Sequence, residues 1–592
     1  MNVFPLIRVK WSNEHIMAAV FFVLVLYHLP QWSENPAGIF SFLLLVAEGL
    51  LIDCIASLLR YKRVWCCVSA AVTAAIISAL TNGVPLWGQL LGVAIALLLG
   101  KQLWGGTGKN IVNPAMVGLL FLLLYFDVPY PFLAASYLLI PAVILSLPFL
   151  KIRPFAGIGF ILGMVASMIF VGDLTLMNLL SYGVFFWGCI VMTDPVTVGN
   201  HPMTGSVVGF LAGFAALYHY QEPIVLVIII LAINLFSFTM EGIISKNIKF
   251  LRPKLKIPKV VPFLNNQAEM VDLTVGNESD ISTEEDILKL SEKEILNRIK
   301  SNEVFGMGGA AFSTYQKLIT VLTSKESQKY LIINGVECDP GLIHDHWLLH
   351  KHSKEIGIGV ELLQKCIGFT SIYLAVKDTE GIELPDQIQI AKVPEDYPVG
   401  AEKILIAQIL AKQIATDQIP AVCGILVLNV QTLYAIYQAV YSNKPVDTRY
   451  LTVANLKEKS AKVVKVRLGM KIHEVMEAVY PGVISVFAGG GLMQSHLADE
   501  DEVVGKNVNF IATSLFPKYK ESPQCSKCGN CSSNCPAGLK VNLIADLVDS
   551  GKAGETDKYH VRECISCGSC SYSCLAGRNL SAKVKIAKET FK

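Results

Sequence analysis

Two hydrophobic rhythms divide this chain near Phe250. Before that point apolar runs alternate with short polar breaks, at approximately 16–30, 37–59, 64–82, 86–100, 112–126, 132–150, 155–172, 177–193, 204–219 and 223–244. A bilayer needs ~20 apolar residues per helix, so these runs read as about ten membrane spans, several of them short. Beyond Phe250 the apolar stretches shorten to strand length or recur at helical spacing. Lys246–Lys259 is basic and punctuated by proline, which suits a junction at an anionic membrane surface. Residues 260–300 are polar and acidic and turn helical near their end, with Thr283 and Asp286 offering a capping-type start. Leu331–Gly341 begins as a strand and ends in Glu337 and Asp339. Ile419–Val440 reads as a buried strand, a polar break at Asn429–Thr432 and an amphipathic helix.

Charge gives the apolar half a direction. Arg8 and Lys10 precede the first run; Arg60, Lys62 and Arg63 follow the second, Lys101 and Lys109 the fourth, Lys151 and Arg153 the sixth, and Lys246 and Lys249 the tenth. Glu34, Asp127, Asp173 and Glu222 mark the opposite side. The positive-inside rule then places both termini, and all that follows Phe250, in the cytoplasm of a multi-pass protein of the cell membrane. The first run is followed by many more, so it reads as a span and not as a cleavable signal peptide. The chain has 592 residues, 53% hydrophobic and 17% charged, with a formal net charge of +2. That length requires several domains, and the charge leaves no nucleic-acid footprint.

Two polar breaks stand out near the cytoplasmic face, GGTGKNIVNPAMVG (Gly105–Gly118) and TDPVTVGNHPMTG (Thr193–Gly205). Polar backbone at membrane depth is tolerated where it lines a cavity or a site; ordinary interhelical loops would also produce such breaks. GGTGK lacks the full pattern of a phosphate-binding Walker loop. Glu48 and Asp53 fall inside the second run, where an ionisable group marks either a site or a buried pair.

Eight of the 15 cysteines form two runs, CSKCGNCSSNC (Cys525–Cys535) and CISCGSCSYSC (Cys564–Cys574). Each is Cys-x2-Cys-x2-Cys-x3-Cys. In such runs three thiolates close on one cubane and the fourth reaches the other, so the pattern predicts two [4Fe–4S] clusters. Cys525, Cys528, Cys531 and Cys574 are expected on one, and Cys564, Cys567, Cys570 and Cys535 on the other. Zinc sites more often use paired Cys-x2-Cys units, and Pro536 follows the first run as in cluster-binding sequences. Leu575 replaces the second proline. Cys54, Cys66, Cys67, Cys189, Cys338, Cys366 and Cys423 show no ligand spacing and read as reduced thiols.

A glycine loop, GMGGAAFST (Gly306–Thr314), lies between two helix-like stretches. Its backbone N–H groups can approach a phosphate, helped by the following helix start. Glycine loops alone are a weak signal. Glu337 and Asp339 are candidates to accept from ribityl or ribose hydroxyls, or else mark a polar strand-end turn.

The membrane half, through NPAMVG, TDPVT and its run layout, resembles the D subunit of the Rnf complex and the B subunit of the sodium-pumping NADH:quinone reductase. Many D-type proteins carry FMN on a threonine just upstream of TDPVT; here that stretch reads Ser181-Tyr182-Gly183-Val184, and the acceptor hydroxyl is absent. From about Ile295 onward, GMGGAAF, INGVECDPG, YPVGAEKILI, NVQTLYAIYQAV and the cysteine tail resemble the C subunit of Rnf and the flavin-bearing subunit of complex I. The resemblance implies FMN and NAD(H) as cofactors, with Gly306, Gly308, Gly309 and Ala310 at a phosphate and Asn334, Glu337 and Asn429 around the flavin. Ser313 stands where that family has proline, implying a looser loop, and the family's N-terminal barrel-sandwich domain is nearly missing.

The implied layout is multidomain: a polytopic α-helical membrane domain (1–250), a linker (251–290), an α/β FMN/NADH domain (291–445), a small β-grasp domain (446–515) and an α-helical ferredoxin-like domain (516–592). The implied function is membrane electron transport between NAD(H) and ferredoxin as a fused, ion-translocating Rnf-type component, with other Rnf-like subunits as partners. The alternative is an NADH dehydrogenase-like module that passes electrons across the membrane to an extracytoplasmic flavoprotein or quinone without pumping.

Overall fold

The structure is a computed structural model. It describes residues 12–591 apart from 65–66, 127, 129–154, 176–182, 195, 199–201, 219–222, 245–254, 258–267, 275–288, 310, 379–381, 383–384, 416–417, 514–521 and 523–524. The apolar half forms a helical bundle: α1 (Asn13–Glu34), α2 (Ala37–Tyr61), α3 (Val68–Leu80), α4 (Leu86–Leu97), α5 (Pro114–Tyr125), α6 (Phe155–Val171), α7 (Val184–Phe186), α8 (Pro202–Tyr218) and α9 (Pro223–Ile244). Helix α4 continues into a π-turn at Leu98–Gln102, and α7 into another at Trp187–Val191. The run expected at 132–150 lies outside the described residues. Among the described helices, those at Glu14–Glu34 and Ala37–Tyr61 are long and apolar enough to cross a membrane, while the others are shorter apolar helices.

Small residues set the packing of this bundle. Helices α6 and α8 meet through Gly159, Gly163, Gly209 and Gly213, and a Cβ at any of them would strike the backbone of the facing helix. Close backbone approach of this kind replaces the hydrophobic drive that lipid-soluble helices lack. Asp53 is the polar anchor. Its carboxylate, 2% exposed, pairs with Lys101 Nζ at 2.9 Å, and accepts from Gln102 Nε2 at 2.7 Å and Cys67 N at 3.1 Å. Lys101 also donates to Ser69 Oγ at 3.0 Å. Asp53 therefore ties α2, the start of α3 and the π-turn together. Lys101, one of the basic residues used above to orient the chain, is buried in this pair and not displayed to a membrane surface.

After α9 come two sheets. In the first, all strands are parallel in the order β4–β3–β2–β5: β2 (Tyr330–Asn334), β3 (Ser371–Val376), β4 (Ile388–Lys392) and β5 (Ile425–Asn429). Around it pack α10 (Glu292–Ser301), α11 (Thr314–Leu322), α12 (His344–Lys351), α13 (Ser353–Ile367), α14 (Glu402–Leu410) and α15 (Val430–Ser442). Strand β2 is Leu-Ile-Ile in the middle with those three residues buried, as strands covered on both faces require. The start expected at Thr283 lies outside the described residues. Helix α10 instead opens on a capping box in which Ser291 Oγ accepts from Glu294 N while Glu294 accepts from Ser291 N.

The second sheet has the order β1–β7–β6–β10–β8–β9: β1 (Met270–Asp272), β6 (Thr448–Asn455), β7 (Ser460–Arg467), β8 (Val486–Gly489), β9 (Ser495–Leu497) and β10 (Phe510–Thr513), with α16 (Ile472–Val479) packed on it. Strand β1 pairs parallel to β7, so the stretch expected as linker supplies an edge strand.

The cysteine tail folds as a pseudo-duplicate. Short helices α17 (Asn530–Ser533) and α19 (Ser569–Tyr572) each follow a glycine of positive φ, Gly529 and Gly568, and α18 (Val541–Asp549) and α20 (Leu580–Glu589) close the unit.

Replacing Asp53 by leucine leaves Lys101 buried without its carboxylate. The expected outcome is a loss of roughly 3–5 kcal/mol of stability, read as a lowered melting temperature in detergent. The double replacement D53L/K101M should recover most of it.

Candidate redox sites

The strand order of the parallel sheet reverses between β2 and β5, because the chain leaves β2 toward β3 and β4 and returns on the other side with β5. Crevices at the carboxyl ends of strands at such a reversal are where α/β sheets bind nucleotides. Asn334 ends β2, Asn429 ends β5, and the two are direct register partners. Gly308 abuts the same spot: a Cβ there would lie 3.4 Å from Asn429 Cβ. The structure thus brings Gly306, Gly308 and Gly309 together with Asn334 and Asn429 at the reversal. Ala310 lies outside the described residues.

The two asparagines are already engaged. Asn334 Nδ2 donates to Gly400 O at 2.9 Å, fixing the Tyr397–Gly400 loop against the strand end. Asn429 Oδ1 caps α15 by accepting from Gln431 N, and its Nδ2 donates to Asp345 Oδ2 at 2.6 Å. Both side chains are thereby held at the strand ends. Glu337 is buried just past β2 and accepts from Asp345 N at 2.9 Å. Asp339 has a different job from the hydroxyl acceptor considered above. Its carboxylate accepts from Gly341 N, Leu492 N and Met493 N at 3.0, 2.9 and 3.1 Å, clamping the second sheet to the first.

The glycine loop closes on itself, with Gly306 N donating to Phe312 O at 2.8 Å and Thr314 N to Val304 O at 3.0 Å. Ser313 does not loosen it: its Oγ caps α11, and the residue bridges antiparallel to Phe305. Gly309 has φ +105, a conformation that L side chains rarely adopt. Nothing in the local sequence announces what lies beneath. Thr432 Oγ1 accepts from Met307 N at 2.9 Å. Arg449, 1% exposed, donates to Met307 O at 3.2 Å, to Lys506 O at 2.7 Å and to Asn509 Oδ1. Burial draws its guanidinium down to about 10, opposed by nearby Asp345, so it remains charged at neutral pH.

The cysteines gather in two nests. Cys525, Cys528, Cys531 and Cys574 rim one small cavity. Cys535, Cys564, Cys567 and Cys570 rim another. Each set of four combines three cysteines of one run with one of the other, the exchange expected of two cross-ligated cubanes. Burial pushes Cys528 up to about 11 and Cys567 up to about 12. Cys531 and Cys570 are pushed well up by burial and then by the other thiols of their nests, Cys570 also by Cys531 of the other nest. A nest of this kind holds thiolates only when cations compensate them, so the residues fit iron–sulfur clusters.

The nests face different neighbours. Tyr397, buried beside the crevice, donates its hydroxyl to Cys567 O at 2.5 Å, and Gly568 lies against the Met493 backbone. On the other side, the backbone of Cys525 meets Gly108 so closely that a Cβ at Gly108 would overlap the Cys525 carbonyl. Gly108 belongs to the first polar break. Both breaks, through Thr107, Asn110, Asn113, Thr193 and Asp194, line one cavity together with Lys101 and Ser526. The second break's Pro195 and residues 199–201 lie outside the described residues.

A helical membrane bundle, a nucleotide-type crevice and two thiol nests in one chain define a membrane redox protein. Residues 1–136 match the model of the NQR2, RnfD, RnfE family, residues 299–438 the Nuo51 FMN-binding domain, and residues 517–575 a 4Fe-4S dicluster domain. The chain is 27% identical over 294 residues to the C subunit of an ion-translocating oxidoreductase complex of Haemophilus influenzae, covering 47% of this chain and 45% of that one. It is 29% identical over 301 residues to the C subunit of the Na(+)-translocating ferredoxin:NAD(+) oxidoreductase complex of Acetobacterium woodii, covering 48% and 67%. With the C subunit of the proton-translocating ferredoxin:NAD(+) oxidoreductase complex of Clostridium ljungdahlii it shares 28% over 292 residues, covering 47% and 62%. The chain thus spans less than half the length of the Haemophilus relative. A solved NAD+-reducing [NiFe]-hydrogenase aligns over 52% of this chain and 56% of its own at 15% identity, with a TM-score of only 0.34. The chain thus joins a region that matches the RnfD-type membrane family to a region similar to RnfC subunits, within which the FMN-binding and 4Fe–4S dicluster matches fall.

Because the nests exchange one cysteine each, Cys531→Ala and Cys574→Ala should each abolish the same one of two electron paramagnetic resonance signals of the reduced protein. Iron and sulfide should fall from about eight to about four each per chain.

Proposed function

We propose that this chain is a membrane-bound electron-transfer component of an Rnf-type ion-translocating oxidoreductase, linking NAD(H) to ferredoxin. One observation carries the reading: the two thiol nests are oriented, one against the crevice through Tyr397 and Cys567, the other against the membrane bundle through Gly108 and Cys525. FMN, when bound, exchanges hydride with NAD(H) on one side and single electrons on the other, a conversion clusters cannot make. Gly306, Gly308 and Gly309 would cradle its phosphate or that of NAD(H), and Asn334, Glu337 and Asn429 would shape the wall beside it. Cys535, Cys564, Cys567 and Cys570 would hold the cluster nearer the crevice, and Cys525, Cys528, Cys531 and Cys574 the one nearer the membrane. Burial keeps the Tyr397 phenol far above its ordinary pKa, so its hydroxyl remains a donor that pins the head to the Cys567 loop. A β-grasp reading of the second sheet is supported by the β6–β7 hairpin, the helix α16 and a β10 that runs parallel to β6. Partners on this reading are further Rnf-type subunits and ferredoxin.

Full-length protein purified anaerobically should oxidise NADH, or reduce NAD+ from reduced ferredoxin, with ferredoxin, quinone and soluble flavin compared as partners. Gly108→Val should leave NADH-dependent reduction of the iron–sulfur centres intact and slow their exchange with the membrane half at least tenfold. Absence of NAD(H)-linked electron transfer in protein with full iron content would overturn the reading. The alternative, a dehydrogenase that delivers electrons across the membrane to an extracytoplasmic flavoprotein or quinone without pumping, is favoured by Val184. Val184 is buried, and on the resemblance to D-type subunits it stands where many of them carry the flavin-bearing threonine, without the hydroxyl a covalent FMN would need. Quinone reduction without ferredoxin exchange or ion transport would select it.

On this reading the membrane half crosses about ten times with both termini cytoplasmic, as the one-sided distribution of basic residues argues. A reporter active only in the cytoplasm, fused after Lys592, should be active; silence from a well-expressed fusion would reverse the topology.

A further inference from the structure

Asn509 belongs to none of the motifs read from the sequence, yet it reaches the glycine loop from the second sheet. It precedes β10 and is 4% exposed. Its backbone is held on both sides, N donating to Gly489 O at 2.8 Å and O accepting from Thr452 N at 3.0 Å. Its side chain faces Arg449 on one side and Gly309 on the other: Arg449 Nη2 donates to Asn509 Oδ1, and a Cβ placed on Gly309 would lie 3.5 Å from Asn509 Nδ2.

The orientation of that amide follows from chemistry. A guanidinium has donors and no acceptor, so only the oxygen of Asn509 can face Arg449. The NH2 group must then point the other way, toward the glycine loop. Arg449 cannot turn aside either. It is buried, and it is held by Met307 O in the loop and by Lys506 O in the segment leading to Asn509. One cation therefore locks the loop, the segment 505–509 and the direction of an amide donor. Glycine at 309, with its positive φ, leaves the space in front of that donor open.

We propose that Asn509 is a ligand-binding residue of the crevice, donating through Nδ2 to an acceptor oxygen of the flavin nucleotide, and that Arg449 is the positioning residue that turns the amide toward it. The inference rests on the flavin reading of the crevice. The acceptor is a phosphate oxygen or a carbonyl oxygen of the ring, and the two sources separate in the test.

The test uses the full chain with flavin removed and clusters intact, titrated with FMN and with riboflavin by fluorescence quenching. Asn509→Asp keeps an oxygen facing Arg449 but replaces the donor by an acceptor. It should weaken FMN binding roughly 10- to 100-fold, as expected for a lost hydrogen bond to a charged group, with melting temperature and cluster absorbance unchanged. Unchanged riboflavin affinity would assign the contact to the phosphate; an equal loss, with a shift of the visible flavin bands, would assign it to the ring. Arg449→Met should reproduce the loss, and R449M/N509D should be no weaker than either single variant, because the residues act in series. If Asn509→Asp melts early, Asn509→Ala decides on the same readouts. Wild-type affinity and spectra for both flavins in a folded Asn509 variant would overturn the proposal. A wild-type chain with intact clusters that takes up no FMN would instead overturn the flavin reading, and this inference with it.

Discussion

Eight thiols that repel one another once ionised share two small cavities, and the soluble half is built so that they can. Each nest mixes three cysteines of one run with one of the other, so neither run can move without the other. Burial and mutual repulsion hold Cys531 and Cys570 far from thiolate unless cationic iron is present. Metal loading and folding of this tail are therefore coupled. The glycines of positive φ before α17 and α19 let the chain bend back sharply enough to present successive cysteines to one cavity.

The same tail is the connector. It meets the head at the hydroxyl of Tyr397 and the membrane bundle at the backbone of Gly108. Both contacts involve main-chain atoms of cluster-loop residues, Cys567 and Cys525. Backbone contact sets the distance between neighbours at its minimum. The head is itself two sheets joined by Asp339, whose carboxylate takes three backbone N–H groups, and by Arg449, which gives its donors to carbonyls on both sides.

In the membrane half the equivalent constraint is the Asp53–Lys101 pair. Two charges taken out of water are tolerable only when each is matched and further hydrogen-bonded. Here Gln102, Cys67 and Ser69 complete the set. The pair stands beside the cavity that gathers both polar breaks, so the helices around that cavity are held by electrostatics where glycine packing alone would let them slide.

Whatever depends on near neighbours along the chain was legible before any folding. Cysteine spacing marked two nests because cubane geometry constrains residues two or three apart. Apolar runs marked the membrane half because burial in lipid demands length. The glycine loop could be read from its spacing, whereas Asn334 and Asn429 were marked only by the resemblance of whole segments to a known family. What depends on residues far apart came only with the fold. Arg449 and Met307 are separated by 142 positions and Asp339 and Leu492 by 153. Nothing local distinguishes a buried arginine under a loop from one on a surface strand, or a clamping aspartate from one that meets a ligand. Lys101 read as a surface charge until Asp53, from another helix, was placed against it. Which nest faces the membrane was equally hidden, because the two runs have the same spacing and differ only in what the folded chain puts beside them.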